Sequence, residues 1–201
     1  MRRRDFLAGI ALTTTFRPAH AQQPNRVYRI GFLVGSSPAP YHDGLINGLR
    51  DLGYVEGKNI IVERRSSGPN TERLPQLARE LVELGVEVIV AGGTPAIVAA
   101  RDASDTTPIV MGTVGDPVAV GLVESLARPG GRITGVTNQN SDLGAKRLQV
   151  LKEIFPTTAR VRVLSHSVDP LSSFLLNHDR AGARALAIEL DVTDVRDGAE
   201  L

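Results

Sequence analysis

The sequence predicts an α/β protein: one complete, doubly wound lobe with a parallel sheet, followed by part of a second lobe. Three observations carry this. Short apolar runs rich in Val and Ile recur along the chain. Amphipathic patterns of roughly 10–15 residues separate them, the spacing of βαβ units. Gly or Pro closes most of the runs and marks the turns.

The elements follow in order. Residues 27–35 (VYRIGFLVG) form a continuous apolar run ending in Gly, as a strand buried on both faces does. From His42 to Leu52, the residues Leu45, Ile46, Leu49 and Leu52 share one helical face, and Gly53 is placed to stop the helix. Residues 59–65 (NIIVERR) make a second strand. Leu74, Leu77, Ala78, Leu81 and Val82 recur at helical spacing up to Gly85. The third strand spans 86–91, with a helix over 95–102. The fourth starts at 108–111, with a helix over 117–127 that Arg128, Pro129, Gly130 and Gly131 break. Residues 133–137 supply a fifth strand. Right-handed crossovers put helices on both faces of such a sheet, so residues 27–140 form the N-terminal lobe.

Residues 141–201 read as a crossing into a second lobe. Leu143, Leu148, Leu151 and Ile154 line a helix that stops at Pro156. A strand over 160–165, a helix over 172–190 and a strand over 191–196 follow. After Pro156 there is sequence for about two strands, against five in the first lobe. An incomplete parallel sheet leaves an open edge and uncovered apolar helix faces. The expectation is a chain that folds in its first lobe, is loose or self-associating beyond residue 157, and binds a ligand weakly or not at all.

Composition narrows the function. Of 201 residues, 42% are apolar and 22% charged, a globular balance. The absence of Cys excludes disulfides, Cys-based metal sites and thiol nucleophiles. Aromatic residues at 4% argue against a stacking surface for nucleic acid. Arg2, Arg3, Arg4, Arg17 and Asp5 all precede residue 22, which leaves 19 bases and 21 acids in the remainder. A body of net charge −2 is no electrostatic footprint for DNA or RNA. No apolar run has the length of a membrane span, so no insertion is expected after signal cleavage.

Residues 1–21 have the layout of an export signal. A basic start leads into an apolar stretch, and Ala19 and Ala21 stand at the −3 and −1 positions of a cleavage site. Arg3-Arg4-Asp5-Phe6-Leu7 resembles a twin-arginine motif, which a receptor reads. A general secretory signal rich in Arg is the other reading. Cleavage after Ala21 would leave residues 22–26 as a tether and place the protein in the periplasm.

Three strand ends share a device. Ala91-Gly92-Gly93-Thr94-Pro95, Gly112 to Pro117 and Ser165 to Pro170 each put Thr or Asp before Pro at the expected start of a helix. Helix capping explains these residues by itself, at roughly 1 kcal/mol each. Their location adds a second role, because ligands bind beyond the carboxyl ends of strands in open α/β sheets. Helix N-termini there favour an anion such as a carboxylate, and Gly92 and Gly93 let a ligand approach the backbone. Asp116 either caps or pairs with a ligand ammonium; in the second case a zwitterion such as an amino acid fits. Tyr41 either packs on a ligand or covers the lobe. The amides at Asn138 to Asn140 either bond a ligand or satisfy a crossover turn.

Enzyme signatures are absent: there is no G-x-x-x-x-G-K-[ST], G-x-S-x-G, H-E-x-x-H or G-x-G-x-x-G. His42, His166 and His178 show no metal-ligand spacing and read as surface or capping residues. Asp169 lies near His166, but no nucleophile motif accompanies them. No catalytic residue, metal or cofactor is expected.

YRIGFLVGSSP (28–38), GLRDLGYVEGKNIIVERR (48–65), LPQLARELVELGVEVIVAGGTPA (74–96), PIVMGTVGDPVAVGLVESLARPGGRITGVTN (108–138) and SDLGAKRLQVLKEIFPTTARVRVL (141–164) resemble the periplasmic substrate-binding proteins of ABC transporters. The resemblance lies in the branch related to tryptophan and other amino-acid binding proteins. It implies the type I periplasmic-binding-protein fold, with two Rossmann-like lobes that close on a small molecule and hand it to a membrane permease. It points to the loops carrying Ser36, Ser37, Gly93, Thr94, Thr113, Asp116 and Asn138, with Asp169 from the second lobe. The alternatives are a ligand-sensing module that signals to a membrane receptor, and a non-functional truncated fragment.

Overall fold

A computed structural model describes residues 26–35, 39–138, 143–167 and 169–195. The export signal expected over 1–21, and Ser36, Ser37, Gln139 and Asn140, lie outside the described residues. The chain runs β1 (Tyr28–Val34), α1 (Ala39–Asp51), β2 (Ile60–Ser66), α2 (Leu74–Glu83), β3 (Val88–Gly92), α3 (Thr94–Ala103), β4 (Ile109–Thr113) and β5 (Ile133–Gly135). Then come α4 (Leu143–Ile154), β6 (Arg160–Ser165), α5 (Ser172–Ala185) and β7 (Glu189–Asp194). The α/β architecture is the one expected.

The first five strands form one parallel sheet in the order β2-β1-β3-β4-β5. β1 lies between β2 and β3 and is buried from Ile30 to Val34, which is why its sequence reads as a continuous apolar run. Leu45, Ile46 and Leu49 of α1 cover Ile30, Phe32, Val34, Ile60 and Val62 on one face. On the other face, α2 and α3 bring Leu77, Leu81, Ile97 and Ala100 against Leu33, Ile89, Ala91 and Ile109. Each fully buried Leu or Ile contributes about 1.5–3 kcal/mol relative to exposure. β6 and β7 make a separate parallel pair. Its small core joins Leu148 of α4, Ala183 of α5 and Ile188, with Val161 and Leu190 packed against them.

Four elements differ most from expectation. The helix over 117–127 does not form. Leu122 N–H donates to Pro117 O at 2.8 Å and Gly121 N–H to Val118 O at 3.0 Å, so the segment is a chain of turns. Val118, Val120 and Val123 are stiff at χ1 and weak helix formers, and Leu122 and Val123 anchor the segment by entering the core. The expected strand over 133–137 stops at Gly135. There φ is +145°, and a Cβ would strike the Met111 backbone of β4. Beyond it, Thr137 Oγ donates to Val114 O and Gly115 O at 2.9 Å each. The helix over 172–190 ends at Ala185, and β7 starts at Glu189 rather than 191. Leu190 and Val192 pair with Val161 and Val163 of β6, and that pairing outweighs the helical spacing of the same residues.

Candidate functional site

β1 has β2 on one side and β3 on the other, so the direction of winding reverses at β1. Such a switch point leaves a crevice beyond the carboxyl ends of the strands. A cleft of about 400 Å³ lies there. Val34 and Gly35 from the end of β1 line it, with Gly92 and Gly93 from β3 and Thr113 from β4. Gly68, Pro69 and Thr71, which follow β2, close one side, together with Leu74 at the start of α2. Pro95 and Ala96 contribute the first turn of α3, and His166, just after β6, is the lining residue from the C-terminal unit.

Local hydrogen bonds hold these loops. Gly93 stands at the N-cap of α3 with φ 86° and ψ 145°. Its N–H donates to Thr113 O at 3.0 Å, and its carbonyl accepts from Ile97 N–H at 3.1 Å. The β3–α3 turn is thereby tied to the end of β4. No side chain caps α3, and its first amides have no carbonyl one turn back inside the helix. After β2, Ser67 N–H donates to Val34 O at 3.2 Å and Ser66 Oγ to Gly35 O at 3.0 Å. Those bonds hold the Gly68-Pro69 segment beside β1.

Among the described lining residues there is no Asp, Glu, Lys or Arg. The polar features at the cleft are the uncapped N-terminus of α3 first, and then His166, Thr71 and Thr113. An anionic group suits the first. Val34, Pro69, Leu74, Pro95 and Ala96 offer apolar walls to the rest of a ligand. Among the described residues, the two titrations that burial or pairing displaces, those of Glu56 and Asp179, belong to residues that do not line the cleft. The Arg64 guanidinium, which donates twice to the Glu56 carboxylate at 2.8 and 2.7 Å, holds that group below its ordinary range. Burial raises Asp179, against the opposing charges of Arg147 and His178.

The structure distributes the sequence-derived candidates unevenly. Gly93 and Thr113 line the cleft. Thr94 is the first residue of α3 rather than its cap, and is buried. Asp116 caps a turn: its Oδ1 accepts from Val118 N–H at 3.1 Å and Ala119 N–H at 2.9 Å. Asp169 does the same for Leu171 N–H at 2.9 Å, ahead of α5. The Asn138 N–H donates to Val114 O at 3.0 Å. Thr94, Asp116, Asn138 and Asp169 are not among the residues lining this cleft. Tyr41 lies in the first turn of α1. Gly68, Pro69, Thr71 and His166 were not among the candidates. The carboxyl-end rule applied to the second strand would have reached the first three, and His166 directly follows the strand of 160–165.

A family model described as ABC transporter substrate binding protein matches residues 30–200. A tyrosine-binding protein of Clostridioides difficile is 31% identical over 140 residues, which are 69% of this chain and 40% of that protein. The crystal structure of a conserved domain protein from Vibrio cholerae aligns with a TM-score of 0.78 at 27% identity, covering 87% of this chain and 60% of that one. A Streptococcus pneumonia ABC domain in complex with L-Trp aligns with a TM-score of 0.73 at 23% identity, over 87% and 59% of the two chains, and so shares the fold. The chain thus spans between 40% and 60% of the length of these relatives.

Proposed function

The chain belongs to the family of ABC transporter substrate-binding proteins, and from that premise we propose that it captures a small molecule in the cleft beyond β1, β3 and β4 and delivers it to a transporter permease. The observation that carries this reading is the cleft itself: a crevice at the switch point, apolar along its walls and flanked by an uncapped helix N-terminus. A carboxylate with a largely apolar body complements it, an amino acid among such molecules. The tyrosine-binding relative and the L-Trp complex of the same fold are each named for an amino acid that combines a carboxylate with an aromatic body, whereas more distant structures of the fold are named for leucine, fructose and 5-methylthioribose. No bond-making step is assigned, because the family is one of binding proteins.

The reading also places the protein outside the cytoplasmic membrane, exported through residues 1–21 and cleaved after Ala21. No helix among the described residues is long and apolar enough to cross a membrane. Changing both Arg3 and Arg4 to Lys stops export if the twin-arginine route is used; continued export of the double variant removes that route.

The direct test is denaturing mass spectrometry of the purified protein for a co-purified molecule, with calorimetric titration of L-tyrosine, L-tryptophan, L-leucine and 3,4-dihydroxybenzoic acid. Because β6 and β7 pair and share a small core with α4 and α5, the expected result is no longer the weak or absent binding read from the sequence but saturable binding of at least one carboxylate, with a rise in melting temperature as a ligand bound only to the native state stabilises it. No co-purified molecule and no binding across the four would refute the proposal.

A further inference from the structure

The C-terminal unit repeats the opening of the N-terminal one. β6 and β7 are parallel neighbours joined by α5, as β1 and β2 are joined by α1. Their registers correspond: the first pair ends at Val34 opposite Ser66, the second at Ser165 opposite Asp194. The next residue after each leading strand, Gly35 in one unit and His166 in the other, lines the cleft. In both units the last residue of the trailing strand ties down the loop that follows the leading one. Ser66 Oγ does so through Gly35 O at 3.0 Å. Asp194 does so with both oxygens, Oδ1 accepting Ser167 N–H at 2.8 Å and Oδ2 accepting the Ser167 hydroxyl at 2.7 Å.

The equivalence exposes a difference. Gly35 can offer a ligand only its backbone. His166 offers a ring that, when neutral, carries one donor and one acceptor. Its main chain is fixed on both sides: the His166 carbonyl accepts from the Ser172 hydroxyl at 2.6 Å and from Asp169 N–H at 3.0 Å, and the Asp194 carboxylate holds the next residue. Leu171, six residues after Ser165, packs against Gly115 and seats this loop on the N-terminal unit. A histidine lining the cleft on a backbone held this firmly is preorganised for contact.

We infer that His166 is the specificity-determining contact that the C-terminal unit makes with the ligand, and that Asp194 is its positioning residue, acting through Ser167. The inference rests on the cleft being the ligand site. It assigns the two walls different tasks: backbone and apolar surface in the N-terminal unit, side-chain hydrogen bonding in the C-terminal one.

The test is titration of the 201-residue chain and its variants with L-tyrosine, L-tryptophan, L-leucine and 3,4-dihydroxybenzoic acid. His166→Ala lowers affinity for the tightest of these about three- to tenfold, the scale of one hydrogen bond, and leaves the melting temperature in place. Asp194→Ala also lowers affinity. The double variant binds no worse than His166→Ala alone, because the two act as one unit. Asp194→Asn, which keeps an acceptor for Ser167 N–H, retains most of the affinity and serves where Asp194→Ala fails to fold. Unchanged affinity in His166→Ala overturns the inference and leaves the binding reading intact. Additive losses in the double variant overturn the role of Asp194. A wild-type chain that binds none of the four and carries no co-purified molecule overturns the binding reading and this inference with it; a co-purified molecule that His166→Ala carries equally well overturns this inference alone.

Discussion

Replacing Gly93 by Ala separates backbone strain from packing at the cleft. Gly93 holds φ 86° and ψ 145°, a combination that side-chain-bearing residues rarely adopt. A Cβ built there meets nothing within 4 Å, so no clash contributes. The cost is conformational, about 1–3 kcal/mol. At the size of this chain about 2 kcal/mol corresponds to a fall in melting temperature of roughly 4–8 °C. The chain can escape the strain only by rotating φ, which breaks the bonds from Gly93 N–H to Thr113 O and from Ile97 N–H to Gly93 O. Either way the first turn of α3 moves or is stressed, and ligand affinity falls with stability. Asn, which relieves strain at left-handed helical positions, gives no relief here because ψ of 145° lies outside that region. Thermal melts of wild type, Gly93→Ala and Gly93→Asn check the argument. A Gly93→Ala melt within about 1 °C of wild type, or recovery by Asn, would refute it.

Three further outcomes follow from the same geometry. Asp116→Ala loses the cap of Val118 N–H and Ala119 N–H and costs about 0.5–2 kcal/mol in a denaturation curve, with titrated ligand affinity unchanged. Asp179→Asn raises the melting temperature at pH 7. The Asp179 carboxyl is raised by burial, so its favourable contribution is present at and below its ordinary value of 3.8 and is lost as pH rises through the folded-state value; melts across that range show the variant's advantage growing with pH. Glu56→Gln behaves oppositely: the wild-type carboxylate is lowered by Arg64, so its contribution is present above 4.5 and is lost as pH falls through the lowered value. Because the pair is largely exposed, the loss at pH 7 stays under about 1 kcal/mol and disappears in acid.

Much of the fold is determined by the sequence alone, because strand burial and helix amphipathicity are local periodicities. β1 and β3 are legible as the apolar runs around Leu33 and Ile89, α2 from Leu74, Leu77, Ala78 and Leu81 at helical spacing, and the strand of 160–165 is found with the bounds expected. The place of the candidate cleft follows from the same reading, since strand alternation implies a parallel sheet and a parallel sheet implies a crevice at the carboxyl ends. What only the tertiary structure decided depends on groups distant in the chain. The Met111 backbone ends β5 at Gly135, pairing with β6 divides the helical pattern of 172–190, and core contacts turn 117–127 into turns. The cleft joins Gly35, Thr113 and His166, whose separation along the chain leaves no pattern to read. Periodicity reports which face of an element is buried; it carries no information about which distant carbonyl, carboxylate or ring that face will meet.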